Sequence, residues 1–199
     1  YRQTKTHNTM TIDGTNITNA LGRTRKVTSD NGTEIIATEN KGYSNLKHRR
    51  YVFFVNKTFF VLVDEGIGAA TGTVNLNFNL CEGSDSEVVV DSDQNGAHTA
   101  FADNNNMIIR TFGNNAISTS PFDGKVSYNL GVESARKSYS VNMAKASQQA
   151  ARYITVLYPV SNTGSAQISA TFKNNDFQES GVGVEVVIDG KTYNLTCNL

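Results

Sequence analysis

Residues 49–65 read RRYVFFVNKTFFVLVDE, and this stretch gives the clearest indication of the architecture. Two apolar runs rich in β-branched and aromatic residues meet at Asn56-Lys57, a pattern typical of a β-hairpin. Both runs are almost continuously hydrophobic, whereas a strand with one solvated face alternates apolar and polar residues. We therefore expect this hairpin to lie at the centre of a sheet, with both of its faces covered.

Alternating segments elsewhere predict further strands. In residues 73–80 apolar side chains alternate with asparagines, which is typical of a half-buried antiparallel strand. Residues 182–188 alternate in the same way, and Asp189-Gly190 is a hairpin signal that leads into residues 191–199. Shorter candidates are residues 9–13, 34–39, 99–103, 107–112, 125–130, 138–143, 152–158 and 167–172. Only residues 143–153 have a helical composition, and they lack an apolar stripe.

Together these signals predict an all-β fold, an antiparallel β-sandwich of about twelve strands. The sequence contains no Pro-rich or Ser-rich linker and no repeat of fixed period, so we expect one domain that spans residues 1–199. The chain begins without an initiator methionine or a signal peptide. We therefore expect it to be a piece of a longer protein.

The formal charge is zero, but it is unevenly distributed along the chain. Residues 1–57 carry ten Lys or Arg against four Asp or Glu, a net charge of +6, and the remaining residues carry −6. An electropositive first quarter favours a local anionic ligand over general adhesion to nucleic acid or membrane. Two solvated faces that attract one another explain the asymmetry equally well. No apolar run is long enough to span a bilayer, and we expect neither a nucleic acid nor a membrane as partner.

Familiar catalytic and metal-binding motifs are absent from the sequence. It has no GxSxG nucleophile elbow, no P-loop and no dinucleotide-binding fingerprint, so hydrolase chemistry is not supported. Cys81 and Cys197 lie far apart without a CxxC motif, which argues against a zinc site. Cys197 is in phase with Leu195 and Leu199 and is predicted to be a small buried hydrophobe, with a disulfide left open.

The N-terminal segment contains a histidine whose role depends on strand phase. If Met10 and Ile12 point into the core, strand alternation places His7, Thr9 and Thr11 on the opposite face, together with Lys5. An outward imidazole that titrates near neutrality is a candidate functional group, although a surface histidine without a task is the commoner outcome. A second cation cluster, KHRR at residues 47–50, is either a solvated strand end or a sulfate contact.

Five stretches, taken in order, resemble the C-terminal β-sandwich of the heparinase II/III-like polysaccharide lyases, and within them the heparan-sulfate lyases of polysaccharide lyase family 12, the heparinase III group. They are YRQTKTHNTMTIDGTN (1–16), GYSNLKHRRYVFFVNKTFFVLVDE (42–65), GTVNLNFNL (72–80), TAFADNNNMIIRTF (99–112) and RYITVLYPV (152–160). The resemblance covers nearly the whole chain.

The resemblance implies an enzyme with an active site shared between two domains. In this family an N-terminal α/α toroid supplies an Asn that neutralises the uronate carboxylate and a Tyr that transfers protons, and the sandwich supplies a His. His7 matches that histidine, and Arg2, Lys5 and Asn8 are the candidate substrate-binding residues beside it. The metal-binding His and Asp residues of relatives close to heparinase II have no clear match, so we expect no metal and no cofactor.

The family also implies a substrate, a partner domain and a cellular location. We expect heparan sulfate or another anionic polysaccharide to be cleaved by β-elimination at uronic acid, in the periplasm or outside a bacterial cell. Two alternatives remain at this stage: a sandwich that binds an acidic glycan or buttresses its neighbour without taking part in cleavage, and the same domain of an alginate lyase. Neither the endo or exo mode of cleavage nor the oligomeric state follows from the sequence.

Overall fold

The computed structural model describes residues 3–18, 21–161 and 166–199. Within them the chain forms fifteen strands and two short 3-10 turns, at Thr4–Thr6 and Ser92–Gln94. The strands are β1 (Met10–Ile12), β2 (Arg23–Asp30), β3 (Thr33–Asn40), β4 (Lys47–Val55), β5 (Phe59–Ile67), β6 (Gly72–Asn79), β7 (Val88–Asp91), β8 (Gly96–Thr99), β9 (Asn106–Gly113), β10 (Ser118–Asn129), β11 (Val132–Lys145), β12 (Ala151–Val160), β13 (Ile168–Phe172), β14 (Gly181–Ile188) and β15 (Lys191–Asn198).

The strands form three sheets in which every neighbouring pair is antiparallel. An eight-stranded sheet has the order β2-β3-β4-β5-β12-β9-β8-β7, a four-stranded sheet the order β1-β6-β11-β10, and a three-stranded sheet the order β13-β14-β15. The all-β sandwich predicted from the sequence is confirmed, with three more strands than expected.

The eight-stranded sheet is the middle layer, because each of its faces supports a separate hydrophobic core. On one face, inward side chains of β3, β4, β5 and β12 pack against the three-stranded sheet around Phe53, Val61 and Val184. On the other face, side chains of β8, β9 and β12 pack against the four-stranded sheet around Leu76 and Tyr139. The four-stranded sheet leaves the β2–β4 end of this second face open.

The central hairpin predicted from residues 49–65 is confirmed as β4 and β5, the third and fourth strands of the eight-stranded sheet. Asn56 and Lys57 both adopt left-handed backbone angles, with φ of 49° and 57°, in the turn that joins them. The expectation that both faces are fully covered was wrong. Tyr51 and Phe53 are buried against the three-stranded sheet, whereas Val52 and Phe54 on the opposite face are only half-buried.

Several local predictions differ from the structure. The segment 99–103 is not a strand, because the chain turns there and β8 ends at Thr99. Residues 143–153 form no helix; β11 runs to Lys145 and β12 begins at Ala151. The charged edge strand β2 and the short strand β7 were not predicted at all. Both sit at the ends of the eight-stranded sheet, where few side chains are buried and hydrophobic alternation is weak.

The cysteines and the hydrophobic runs give two further observations. Cys197 is buried in the first core, so the prediction that it is a small buried hydrophobe is confirmed. Cys81 is exposed, and both cysteines are free thiols, so they do not form a disulfide. Across the described ranges, no helix has the length and apolar character needed to cross a membrane.

Candidate active site

The segment that carries His7 is not a strand until Met10. Residues Thr4–Thr6 form a 3-10 turn. Two hydrogen bonds anchor this turn: the backbone N–H of Thr4 donates to Asn16 Oδ1 (2.7 Å), and the N–H of Ile17 donates to Thr4 Oγ1 (2.9 Å). The count of alternating faces from β1 therefore does not extend back to Lys5 and His7. His7 is exposed as expected, but a turn rather than strand phase turns it outward.

Within β1, the prediction that Thr11 faces solvent is also wrong. Met10 and Ile12 are buried in the second core, as predicted, but Thr11 is buried as well and does not face solvent. Its hydroxyl donates to Asn75 Oδ1 at 3.2 Å and accepts a hydrogen bond from Asn77 Nδ2 at 3.1 Å. A polar network on the four-stranded sheet thus covers the face that the sequence assigned to solvent.

The predicted substrate-binding residues are in different surroundings from one another. Asn8 is exposed, and its Oδ1 accepts the backbone N–H of Asn79 at 2.7 Å. The ammonium of Lys5 lies 3.9 Å from the centroid of the Phe122 ring, a cation–π contact that holds this cation over β10. Arg2 lies outside the described residues.

A buried carboxylate connects the His7 segment to the middle sheet. Asp64 on β5 accepts from Arg50 Nε at 2.7 Å, and His48 Nε2 lies 2.5 Å from the same oxygen, Oδ1. Arg50 Nη1 in turn donates to the backbone carbonyl of Asn8 at 2.9 Å. This chain of contacts fixes the backbone next to His7 relative to β4 and β5.

Asp64 stays ionised despite its surroundings. Complete burial opposes its charge, but Arg50 and His48 outweigh burial and lower the pKa of Asp64. An ionised Asp64 accepts a hydrogen bond from His48, so the imidazole donates through Nε2. Nδ1 of His48 makes no hydrogen bond within the described part of the chain.

Five neighbouring strands of the same sheet carry a row of side chains of alternating charge, one residue along each strand from the Arg50–Asp64 pair. The row is Arg23 (β2), Glu39 (β3), Arg49 (β4), Glu65 (β5) and Arg152 (β12), each directly opposite the next. Cross-strand neighbours of opposite charge attract, and burial strengthens the attraction by lowering the local dielectric. Arg49 and Arg152 are among the largest fully buried side chains of the molecule.

The two carboxylates of this row respond differently to burial. Burial opposes the charge of Glu39, but Arg23, Arg25, Lys47 and Arg49 surround it and lower its pKa to about 2. Burial dominates at Glu65 and raises its pKa to about 7, against the opposing effect of Arg152. Oε2 of Glu65 has no hydrogen-bond partner among the described residues, which explains why Arg152, at 2.8 Å from Oε1, and the neighbouring Arg49 do not compensate for burial.

The cluster at residues 47–50 is therefore not a solvated strand end. His48 and Arg49 are buried, and Arg49 bridges Glu39 and Glu179. Part of the charge asymmetry along the sequence is neutralised by ion pairs between the basic first quarter and two carboxylates of the acidic remainder, Asp64 and Glu179.

A polar cavity of about 310 Å³ opens beside this network. Its lining includes Thr9, Thr24, Thr38, Asn40, His48 and Arg50. Thr24, Thr38, Arg50 and Asp64 are consecutive partners across β2, β3, β4 and β5, so the floor of the cavity is the open end of the middle sheet. Thr9 places the cavity next to the segment that carries His7.

Sequence reasoning missed the residues that build this face. His48 was considered only as part of the KHRR cluster, and Asp64 was not singled out. A usable signal was present: counting outward from the Asn56-Lys57 turn places Arg50 opposite Asp64 and Arg49 opposite Glu65. No group of three or more His, Cys, Asp or Glu in the described residues is arranged to hold a metal.

Taken together, these features define a β-sandwich domain whose middle sheet carries buried ion pairs and an open polar face. A family model described as Heparinase II/III-like, C-terminal, matches residues 1–171, and the chain belongs to this family. The resemblance predicted from the five sequence stretches is thereby confirmed.

Individual relatives agree with the family assignment. The chain is 50% identical over 201 residues to a heparin-sulfate lyase of Bacteroides thetaiotaomicron, a match that covers all of this chain and 28% of the relative. It is 36% identical to a heparin-sulfate lyase of Bacteroides stercoris, covering 100% of this chain and 30% of the relative. The chain thus spans less than a third of the length of these relatives.

Solved structures extend the likeness to three dimensions. A crystal structure of heparinase III superimposes with a TM-score of 0.94 at 51% identity, covering 97% of this chain and 29% of that one. A heparan sulfate lyase from Pedobacter heparinus superimposes with a TM-score of 0.91 at 31% identity, covering 100% of this chain and 31% of that one.

Proposed function

We propose that this chain is the C-terminal sandwich domain of a lyase that cleaves heparan sulfate by β-elimination. The observation that carries the proposal is the 50% identity, over the entire chain, to a heparin-sulfate lyase. The whole of residues 1–199 acts as one domain, and an N-terminal α/α toroid of the same protein supplies the rest of the active site. The substrate is an extracellular polymer, which favours a periplasmic or secreted location.

The chemistry requires two functions that act together on the uronate. β-Elimination removes the C5 proton, breaks the bond to the 4-linked oxygen and leaves a 4,5-unsaturated sugar. The adjacent carboxylate must be neutralised so that negative charge can develop at C5, and a base must lie within hydrogen-bond reach of the proton. Imidazole, with an ordinary pKa of about 6.5, accepts and returns protons near neutrality.

His7 is the residue of this chain that we assign to proton transfer. It is exposed, two residues from the cavity lining at Thr9, and its neighbour Asn8 is held by Arg50 and Asn79. A base on an anchored backbone keeps its position when a long, charged substrate binds. Lys5, Asn8 and Arg2 are proposed to contact the acidic groups of the same substrate.

The decisive variant is His7→Ala in the full-length protein. We expect it to lose at least about 100-fold in the rate of unsaturated uronate formation on heparan sulfate, followed by ultraviolet absorbance. His98→Gln is the matched control, because it removes a histidine from β8, where His98 pairs with Asp91. Near-normal activity of His7→Ala would overturn the role of His7, and no product from the wild-type protein would overturn the lyase assignment.

Substrate class is tested separately with a panel of polymers. Heparan sulfate, heparin, chondroitin sulfate and alginate are offered to the wild-type protein under the same conditions. Turnover of alginate alone would replace heparan sulfate as the substrate, and salt-sensitive binding to heparin without turnover of any polymer would favour a non-catalytic glycan-binding domain.

A further inference from the structure

We propose that the cavity between β2, β3 and β4 is a subsite for one anionic group, a sulfate or a carboxylate, of the bound glycan. This inference deepens the proposed function and rests on it. Most of its lining comes from strands of the middle sheet, and Thr9 comes from the segment that carries His7.

The lining offers hydrogen-bond donors that the protein itself does not use. Asn40 accepts the N–H of Gly42 through Oδ1, which leaves its amide group as a donor. The hydroxyl-bearing residues Thr9, Thr24 and Thr38 also line the cavity, where they are half-buried or exposed. Amide and hydroxyl groups that converge on one recess can donate hydrogen bonds to the oxygens of an anionic ligand.

Arg50 adds a permanent positive charge to these donors, and the imidazole of His48 lies beside it in the lining. Arg50 uses Nε for Asp64 and Nη1 for Asn8, while its Nη2 has no partner among the described residues. His48 is only 6% exposed, with Nε2 committed to Asp64 and Nδ1 without a partner in the described chain. An ionised Asp64 thus holds both groups in place from the protein side of the cavity.

The local charge balance is positive even though the chain as a whole is neutral. Among the residues that line the cavity, the two guanidinium groups of Arg23 and Arg50 stand against one carboxylate, that of Glu39, without counting His48. Asp64, the partner of Arg50, lies behind the lining and is fully buried. Arg23 and Glu39 compensate one another. A recess with surplus positive charge attracts anions.

The cavity lies next to the segment that we propose contacts the substrate. The same Arg50 that lines the cavity holds the carbonyl of Asn8, next to His7. A volume of about 310 Å³ is at the small end of the range for ligand pockets and suits one sugar substituent or ring rather than a long oligosaccharide. An acidic glycan that reaches His7 therefore has a neighbouring place for one of its charged groups.

The test reverses the charge of the cavity without removing any of its existing contacts. Thr24→Glu places a carboxylate at the rim, and Thr24→Lys adds a cation at the same position. Ser29→Glu is the matched control, because Ser29 lies on the same strand and the same sheet face but outside the lining. All are made in the full-length protein, with unfolding transitions measured to confirm that each variant folds.

The two substitutions at Thr24 are expected to change KM in opposite directions. Thr24→Glu raises KM for heparan sulfate about tenfold, equivalent to about 1.4 kcal/mol, with little change in kcat, whereas Thr24→Lys lowers KM. Ser29→Glu leaves KM within about twofold. Selenate soaked into crystals, located by anomalous scattering, is expected between His48 and Arg50 in the wild-type protein and absent in Thr24→Glu.

Heparan sulfate with and without its sulfate groups distinguishes the two ligand sources. An effect of Thr24→Glu on both polymers assigns a carboxylate, and an effect on the sulfated polymer alone assigns a sulfate. Equal KM values for Thr24→Glu and Ser29→Glu, or selenate binding without any effect on KM, would overturn the subsite while leaving the lyase assignment intact. If no variant or wild type forms unsaturated product, calorimetric binding of heparan-sulfate oligosaccharides to the same proteins decides the subsite independently.

Discussion

At the scale of single residues, Glu39 has the most cationic surroundings of the carboxylates in the buried ionic row. Its side chain is nearly inaccessible to water, yet Arg23, Arg25 and Arg49 donate hydrogen bonds to its two oxygens. A charge in such a position contributes stability only while its partners remain in place. Because the pKa of Glu39 is lowered to about 2, this contribution is present above the unfolded value of 4.5 and is lost as the pH falls towards 2.

Glu39→Gln is expected to lower the free energy of unfolding by about 3 kcal/mol at pH 7, since it leaves the buried guanidinium of Arg49 poorly compensated. The difference from wild type should shrink as the pH falls from 4.5 towards 2, where wild-type Glu39 also becomes neutral. Urea unfolding at several pH values measures it. Glu34→Gln on the exposed face of β3 is the control, with an expected change below about 0.5 kcal/mol. A pH-independent difference would contradict this account.

The candidate site shows which residues sequence can identify and which it cannot. His7 is singled out by its chemistry and by family resemblance, and its exposure was predicted correctly, though for the wrong reason. His48 was considered only as part of the KHRR cluster, because its partner Asp64 lies sixteen positions later in the sequence. That pairing is created by hairpin register, which adjacent side chains do not encode.

At the scale of elements, turn residues predict the hairpins better than hydrophobic periodicity does. Asp189-Gly190 predicted the β14–β15 hairpin correctly, and both residues have positive φ, 48° and 80°. Asn31-Gly32, with φ of 47° and 79°, makes an equivalent turn between β2 and β3. The strand that it ends, β2, was missed because an exposed edge strand rich in charge has little apolar alternation.

Gly190→Ala tests the requirement for a left-handed backbone at this turn. An added Cβ meets no atom within 4 Å, so crowding is not involved, and only the positive φ penalises a side chain. We expect a loss of about 1 kcal/mol in the free energy of unfolding. Gly22→Ala is the matched control, because its Cβ also enters open space and its φ is not left-handed. Equal effects of the two substitutions in thermal unfolding would argue against conformational strain at Gly190.

At the scale of the whole molecule, the two faces of the eight-stranded sheet are covered to different extents. One face is covered from β3 to β12 by the three-stranded sheet, whereas the core on the other face takes side chains of β7, β8, β9 and β12 and leaves the β2–β4 end uncovered. The uncovered end carries both the half-buried side chains of Val52 and Phe54 and the polar cavity. The sequence predicted the sandwich but not this division, because covering a face depends on which strands pair, and long-range pairing is not visible in local patterns.

The proposed division of the active site between two domains leads to the final prediction, which concerns residues 1–199 expressed alone. Both hydrophobic cores are formed entirely by side chains of this chain, so we expect the isolated chain to unfold cooperatively in urea. We expect no unsaturated uronate from it, because the groups proposed to neutralise the carboxylate and to complete proton transfer belong to the toroid. The full-length protein at equal concentration is the positive control. Turnover by the isolated chain would show that the chemistry does not need the toroid, and a non-cooperative transition would show that the sandwich depends on its neighbour to fold.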